Sequence, residues 1–362
     1  MVLTHFAITR FSYIEGPRAG QLAIRSNFTT GNPLTPYKLD RRFTLFESLC
    51  LPGMLGQTTK NFIWVLVIDP GLPKDRKARL RDLTKPHPDV VIVEFTPGED
   101  LGRLRWLLPY VRDPATTHIA TTNIDDDDLV NPHLFEYAQR HFRRLAERQA
   151  LPPCMIVCCT EPLQWDFMPT REAPLGYVKP WGRGVFPDFG GYTVCCKQPE
   201  YDFSALAFVH TEGAAYFDPD KQMDSATQAR LRAAAESAGD DWKAWRPDNH
   251  VHIVEGTHPW VVGVNHLGND QIRRLFEQWS TRRVVRGPSD FPGMIVEFDR
   301  IPEAIRAFRR SPRELMRLIY RGVQLLLSSD SRQRRVRGTV FYRVLTMPIW
   351  FMVGLPEKKV GR

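Results

Sequence analysis

Four consecutive aspartates, Asp125 to Asp128, follow the apolar run His118-Ile119-Ala120-Thr121-Thr122-Asn123-Ile124. The run reads as a short buried strand, which puts the carboxylates at its tip. Four adjacent carboxylates repel each other and call for a counter-charge, and a divalent cation is the counter-charge we expect. Asp125 and Asp127 are two apart, so in extended geometry they project to one side. Hard oxygen ligands of this kind suit Mg2+ or Mn2+, completed by phosphate oxygens of a substrate. The bland alternative is a solvated acidic turn ahead of a helix beginning near Pro132. Acid at a helix N-terminus contributes about 0.3–1 kcal/mol, which accounts for one or two of the four.

The elements that must position this cluster form an alternating series. His5 to Phe11 reads as a first strand, and Asp40 to Leu55 as a helix with Phe43, Phe46, Leu49 and Cys50 on one face. Phe62 to Ile68 is a continuous apolar run ending at Asp69, as expected of a buried parallel strand. Asp75 to Leu83 reads as a charged helix, Val90 to Phe95 as a strand and Gly102 to Val111 as a further helix. Strands alternating with helices predict an α/β fold with a doubly wound, mostly parallel sheet. In such sheets ligands bind outside the carboxyl ends of the strands. Arg10, Asp69 and the aspartates all fall at those ends. The sequence has neither GxGxxG nor GxxxxGK[ST], which removes the main support for dinucleotide and P-loop chemistry. Beyond Asp128, Pro132 to Ala150 reads as a long basic amphipathic helix. Two cysteine-bearing strands, Met155–Cys159 and Tyr192–Cys196, flank an aromatic, Pro- and Gly-rich stretch.

The 362 residues suffice for one large domain with an appendage. We expect a domain over 1–295, with a nucleotide-binding half at 1–130 and an acceptor-side half at 131–295. A basic, amphipathic, helical extension is expected over 296–362. From Arg300 onward there are 15 Lys and Arg against 4 Asp and Glu, while the whole chain carries only +8. The body is therefore slightly acidic, and nucleic acid is not an expected partner. In the extension, Ile305, Phe308, Leu315, Leu318, Ile319, Val323 and Leu326 recur at helical spacing among arginines. That pattern suits peripheral contact with an anionic membrane surface; a helical layer packed on the main domain is the competing expectation. No leader-like apolar segment and no uninterrupted 18-residue apolar run is read, so a cytoplasmic protein is expected, peripheral at the inner face of the cell membrane if the extension docks. The six cysteines form no CxxC pair and read as buried reduced thiols.

The pattern resembles GT-A glycosyltransferases, and more narrowly the bacterial rhamnosyltransferase family. Thr9-Arg10-Phe11, Arg42 to Glu47, Cys50-Leu51-Pro52, Gln57-Thr58, Asn61 to Asp69 and Ile124 to Asp128 carry the resemblance, which spans about residues 5 to 270. It implies a GT-A-like fold and transfer of a sugar, rhamnose by the family's name, from a nucleotide-diphosphate donor to a glycan or lipid-linked acceptor with Mn2+ or Mg2+. By position, Asp69 matches the carboxylate that contacts the base or ribose. Asp125 and Asp127 match the first and last members of the DxD motif: Asp127 on the metal, Asp125 on ribose or metal, Asp128 supporting either. Pro70-Gly71 stands where many relatives have a second aspartate. His266 occupies the place of a late histidine ligand, and Arg10 could offset the diphosphate charge. Asp188 and Glu212 are the candidate bases for an inverting reaction. The aromatic stretch from Trp165 to Phe189 could stack on an acceptor sugar. A non-catalytic sugar- or nucleotide-binding relative is the alternative function. The specific sugar, the acceptor, the stereochemical outcome and the oligomeric state have no signal in the sequence.

Overall fold

The computed structural model describes residues 1–13, 34–96, 101–148, 151, 154–159, 163–167, 173–180, 191–198, 202, 204–207, 251–254, 259–265 and 283–301. Its strands are β1 (Leu3–Phe11), β2 (Ile63–Ile68), β3 (Val90–Glu94), β4 (His118–Asp125), β5 (Leu129–Val130), β6 (Cys154–Cys159), β7 (Leu163–Asp166), β8 (Tyr177–Pro180), β9 (Thr193–Lys197), β10 (Val251–Val254), β11 (Val261–Asn265) and β12 (Arg283–Val284). The helices are α1 (Pro36–Leu45), α2 (Leu51–Leu55), α3 (Lys74–Thr84) and α4 (Leu134–Arg148).

Among the described residues one sheet runs β10-β6-β9-β4-β1-β2-β3 and a second runs β12-β8-β7-β11-β5. In the first, β3, β2, β1 and β4 are mutually parallel, as the apolar runs lead one to expect. β9 enters antiparallel between β4 and β6, so the sheet is mostly parallel with one reversed strand. β2 is buried at every position, as befits a strand covered on both faces. One face packs Ala7, Trp64, Leu66 and Ala120 against Phe43, Phe46 and Met54 of the α1–α2 region and Phe135 and Phe142 of α4. The opposite face packs Phe6, Ile8, Val65 and Val67 against Leu101, Leu104, Leu107 and Leu206.

Two local departures from the sequence reading have clear causes. The helix expected over 40–55 begins at Pro36, where a missing N–H costs nothing, and is interrupted by a wide π turn at Phe46–Cys50. Pro52 has no N–H to give the carbonyl of Ser48 four residues back; that carbonyl accepts instead from the Glu297 N–H at 3.1 Å. The helix expected over 102–111 is not formed. Only a 3-10 turn at Leu108–Tyr110 is present. The carboxylate of Asp202 takes the Leu104 and Arg105 N–H groups at 2.7 and 2.9 Å, and Pro109 would break the next turn.

Cys50, Cys154, Cys195 and Cys196 are buried free thiols, as expected. Among the described residues no helix is long and apolar enough to cross a membrane. The extension beyond Ile301 lies outside the described residues, as does the Ala- and Arg-rich stretch of 225–237.

Candidate functional site

The carboxyl ends of β1, β2 and β4 lie side by side, and Arg10, Asp69 and Asp125 stand at or just past those ends. Arg10 is the register partner of Asp125 on one side and of Val67 on the other, two residues short of Asp69. The guanidinium of Arg10 faces the Asp125 carboxylate at 3.5 Å, with both side chains partly exposed. β4 ends at Asp125, and Asp126 to Asp128 form a tight turn into β5. The alternation argument linking Asp125 with Asp127 therefore stops one residue in: the turn, rather than a pleat, sets where Asp127 goes.

Each member of the turn is held differently. Arg42, on α1, donates from one Nη1 to Asp126 Oδ1 at 2.7 Å and to Asp127 Oδ2 at 2.6 Å. The Ser12 N–H donates to Asp126 Oδ2 at 3.2 Å, from a left-handed backbone with φ 49°. A non-glycine residue in that region is uncommon and costs about 1 kcal/mol or more. Asp128 Oδ1 accepts from the Val264 N–H at 2.8 Å, which ties the turn to β11 of the second sheet. Burial pushes the Asp126 carboxyl up to about 7; Asp127 and Asp125 push the same way, and Arg42 and the Ser12 N–H oppose them. Burial, with Asp125 and Asp127 next to it, also raises Asp128 well above the usual carboxylate range, against the Val264 N–H. The thiol of Cys50 beneath the turn is raised by burial and by all four aspartates.

The chain beyond the turn is anchored just as tightly. A Cβ on Gly53 would stand 2.3 Å from the Val130 carbonyl oxygen, so only glycine lets α2 approach β5 this closely. Gln57 Nε2 donates to the Gly53 and Asn131 carbonyls at 2.8 and 2.7 Å. Asn131 Nδ2 donates to the Pro259 carbonyl at 3.0 Å, and its Oδ1 accepts the His133 N–H at 2.9 Å where α4 begins. Asn131, and not the aspartate run, therefore receives the first free amide of that helix. The capping explanation of the acidic run accordingly falls away.

Asp69 lies just past β2 and is 6% exposed. Its Oδ1 accepts the Gly71 N–H at 2.7 Å in an Asx turn. Its Oδ2 is buried with no hydrogen-bond partner, and so is Oδ1 of Asn123, two residues before Asp125 on β4. Buried acceptors left unpaired are uncommon and call for an explanation.

His266, Asp188 and Glu212 lie outside the described residues, as do Trp181, Phe186 and Phe189. Trp165 is buried and packs on Phe167 and Phe291 with ring centroids 4.5 Å away in each case. Its role is core packing of the second sheet. Among the described residues no group of three or more His, Cys, Asp or Glu side chains is arranged to hold a metal ion. Two residues of this edge escaped the sequence reading. Arg42 had a signal only as a member of a matching segment, because its partners lie 84 and 85 residues away. Asn123 had no signal beyond its place near a strand end.

Residues 4–155 match the family model described as "Putative rhamnosyl transferase". No curated protein matches the chain. Among solved structures it is similar to TarS 1-349 of S. aureus in complex with UDP-GlcNAc, at 10% identity over 98% of this chain and 76% of that one, with a TM-score of 0.35. It is also similar to the mannosyltransferase PcManGT from Pyrobaculum calidifontis in complex with GDP-Man and Mn2+, at 14% identity over 96% and 87% of the chains, with a TM-score of 0.32. A third structure, described as a putative nucleotide-diphospho-sugar transferase from Desulfovibrio desulfuricans G20, shares 12% identity over 74% and 83%, with a TM-score of 0.31. The matched segment, residues 4–155, contains Arg10, Arg42, Asp69 and the aspartate turn, and it agrees with the resemblance to GT-A glycosyltransferases read from the sequence.

Proposed function

We propose that this chain is a divalent-cation-dependent glycosyltransferase that moves a sugar, rhamnose by its family's name, from a nucleoside-diphosphate donor to a glycan or lipid-linked acceptor. The observation that carries the reading is the edge formed by β1, β2 and β4. There the Arg10 guanidinium faces Asp125 across the β1–β4 register, the rest of the aspartate turn follows β4 directly, and a buried Asp69 oxygen without a partner stands just past the end of β2. The open acceptor on Asp69 suits a hydroxyl or N–H of a nucleoside. Arg10 would turn toward a diphosphate; its pair with Asp125 at 3.5 Å is partly exposed, of the kind that contributes little to stability.

Hard carboxylate oxygens suit Mg2+ or Mn2+, and one or two of them suffice when phosphate oxygens complete the shell. Asp127 and Asp125 would hold it, with His266 as a proposed further ligand and Asp128 supporting from its bond to Val264. When bound, the cation supplies charge neutralisation to the leaving diphosphate. Asp188 and Glu212 are the proposed bases for deprotonating the acceptor hydroxyl. The basic extension is proposed to meet an anionic membrane surface at the cytoplasmic face, near a lipid-linked acceptor.

A melting-temperature panel tests the reading. UDP-, GDP- and dTDP-linked sugars are each added with Mn2+ or with EDTA. Ligand at about 100 times its Kd adds roughly 2.7 kcal/mol to folding stability. One nucleotide class should raise the Tm, and more so with Mn2+. No shift with any of them would sink the proposal.

A further inference from the structure

We propose that the side-chain carboxamide of Asn123 is a specificity-determining group that accepts a hydroxyl of the transferred sugar. This rests on the nucleotide-sugar reading above and names a residue for the sugar end of the donor. Asn123 is 2% exposed, and its Oδ1 has no hydrogen-bond partner. The two polar side chains before it on β4 are satisfied inside the protein. Thr121 Oγ1 accepts the Ala205 N–H at 2.8 Å, and Thr122 Oγ1 is bonded to His5 Nε2 at 2.8 Å and to Thr193 Oγ1 at 2.7 Å. The main chain of Asn123 is pinned too, its carbonyl taking the Gly191 N–H at 2.8 Å. One acceptor is thus left open beside polar groups that are paired. A buried acceptor without a partner is uncommon, and a ligand that donates to it accounts for it.

The strand register says which part of a donor reaches this oxygen. Side chains alternate along a strand, and Ile119 of β4 packs on the same face as Phe6 and Ile8 of β1. Asn123 and Asp125 fall on that face of β4, and Arg10 falls on it on β1. Asn123 is the register partner of Ile8, and Asp125 of Arg10. The Asn123 amide therefore lies two residues, roughly 7 Å, inward of the Arg10–Asp125 pair. The side chains of that pair are 20% and 29% exposed, so the edge is open to solvent there and buried toward Asn123. The strands stand in the order β2-β1-β4, with Asp69 just past β2, Arg10 on β1 and Asn123 on β4. A donor has its parts in a matching order: nucleoside, diphosphate, sugar. The unpaired Oδ2 of Asp69 independently marks the nucleoside end. With the diphosphate at Arg10, the sugar falls at β4. A carboxamide oxygen accepts a hydroxyl hydrogen, and hydroxyls are what a sugar ring offers. A site built to bond a hydroxyl discriminates against a ligand that lacks it, because its own polar group then stays unpaired.

Isothermal titration of the full chain, with Mn2+ present throughout, tests the assignment. The probes are UDP, GDP and dTDP, each alongside a sugar-bearing counterpart: UDP-glucose, GDP-mannose and dTDP-rhamnose. Asn123→Ala should bind the sugar nucleotide that wild type binds most tightly about fivefold or more weakly, as expected for one lost neutral hydrogen bond. It should bind the matching nucleoside diphosphate as wild type does. A merely structural role would weaken both alike. If Asn123→Ala does not fold, Asn123→Leu takes its place, since it fills the space and lacks the acceptor; the same split is expected. Unchanged affinity for the sugar nucleotide in the folded variant, or an equal loss for it and its diphosphate, overturns the inference and leaves the nucleotide reading standing. Binding of none of the probes by wild type overturns that reading and the inference with it.

Discussion

Replacing Asp69 by asparagine should weaken nucleotide binding while leaving the fold intact or more stable. The substitution is isosteric. Asparagine can keep the oxygen that accepts the Gly71 N–H at 2.7 Å, so the Asx turn survives. What changes is the other position, where a buried carboxylate oxygen without a partner becomes an amide donor. A hydrogen bond involving a charged group contributes about 1.5–3 kcal/mol. Its loss should raise the Kd for the cognate nucleoside diphosphate roughly 10- to 150-fold, at about 1.4 kcal/mol per decade. An unpaired buried acceptor also costs about 1–3 kcal/mol in the free protein, so the Tm of Asp69→Asn in the absence of ligand should hold or rise. Isothermal titration with UDP, GDP and dTDP gives the first quantity, and a thermal melt without ligand gives the second. Unchanged affinity in a folded variant would refute the role of Asp69. A fall in affinity matched by a fall in Tm would show that the carboxylate serves the fold instead.

Other perturbations separate the scaffold from the site. His5 is buried, and burial holds its imidazole down at about 3 against an ordinary value of 6.5. Between those values the unfolded chain binds a proton that the folded chain does not. Its contribution is fully present above pH 6.5 and is lost as pH falls toward 3, about 5 kcal/mol in all. Denaturant midpoints measured from pH 7 down to 4 should therefore fall more steeply in wild type than in His5→Gln, and parallel curves would contradict this. Gly53→Ala would drive a Cβ onto the Val130 carbonyl oxygen. Overpacking of this kind costs roughly 1–3 kcal/mol, and because β5 follows the aspartate turn directly, Mn2+ binding should weaken with it; a wild-type Tm would refute the close approach.

The sequence announced those elements whose signal is local. The unbroken apolar run from Phe62 to Ile68 could only be a strand covered on both faces, and it is one. The charged stretch after Asp69 forms α3 within a residue of its expected ends, and the basic amphipathic run forms α4. The aspartates stand at the end of β4, and Arg10 and Asp69 beside them, because carboxyl ends of parallel strands share one edge whatever the loops do.

What was not legible depends on distant partners. The counter-charge assigned to a divalent cation is met in the described structure by Arg42, a contact between α1 and a turn some 84 residues later. The segment 102–111 has helical periodicity, but Asp202 captures its amides from 97 and 98 residues away. The reversed β9 could not be read either, since its residues are as apolar as those of a parallel strand. In each case a long-range hydrogen bond or strand pairing overrode a correct local preference.

The central claim is that the aspartate turn serves sugar transfer from a nucleotide donor. It is tested most directly by nucleoside diphosphate release from the donor that the thermal panel selects, comparing wild type with Asp127→Asn, each with Mn2+ and with EDTA. The account predicts release by wild type with Mn2+, loss of that release in EDTA, and about a hundredfold or greater loss in a folded Asp127→Asn, the scale typical of removing one preorganised charge-stabilising group. Full wild-type turnover in EDTA, or in Asp127→Asn, would contradict it.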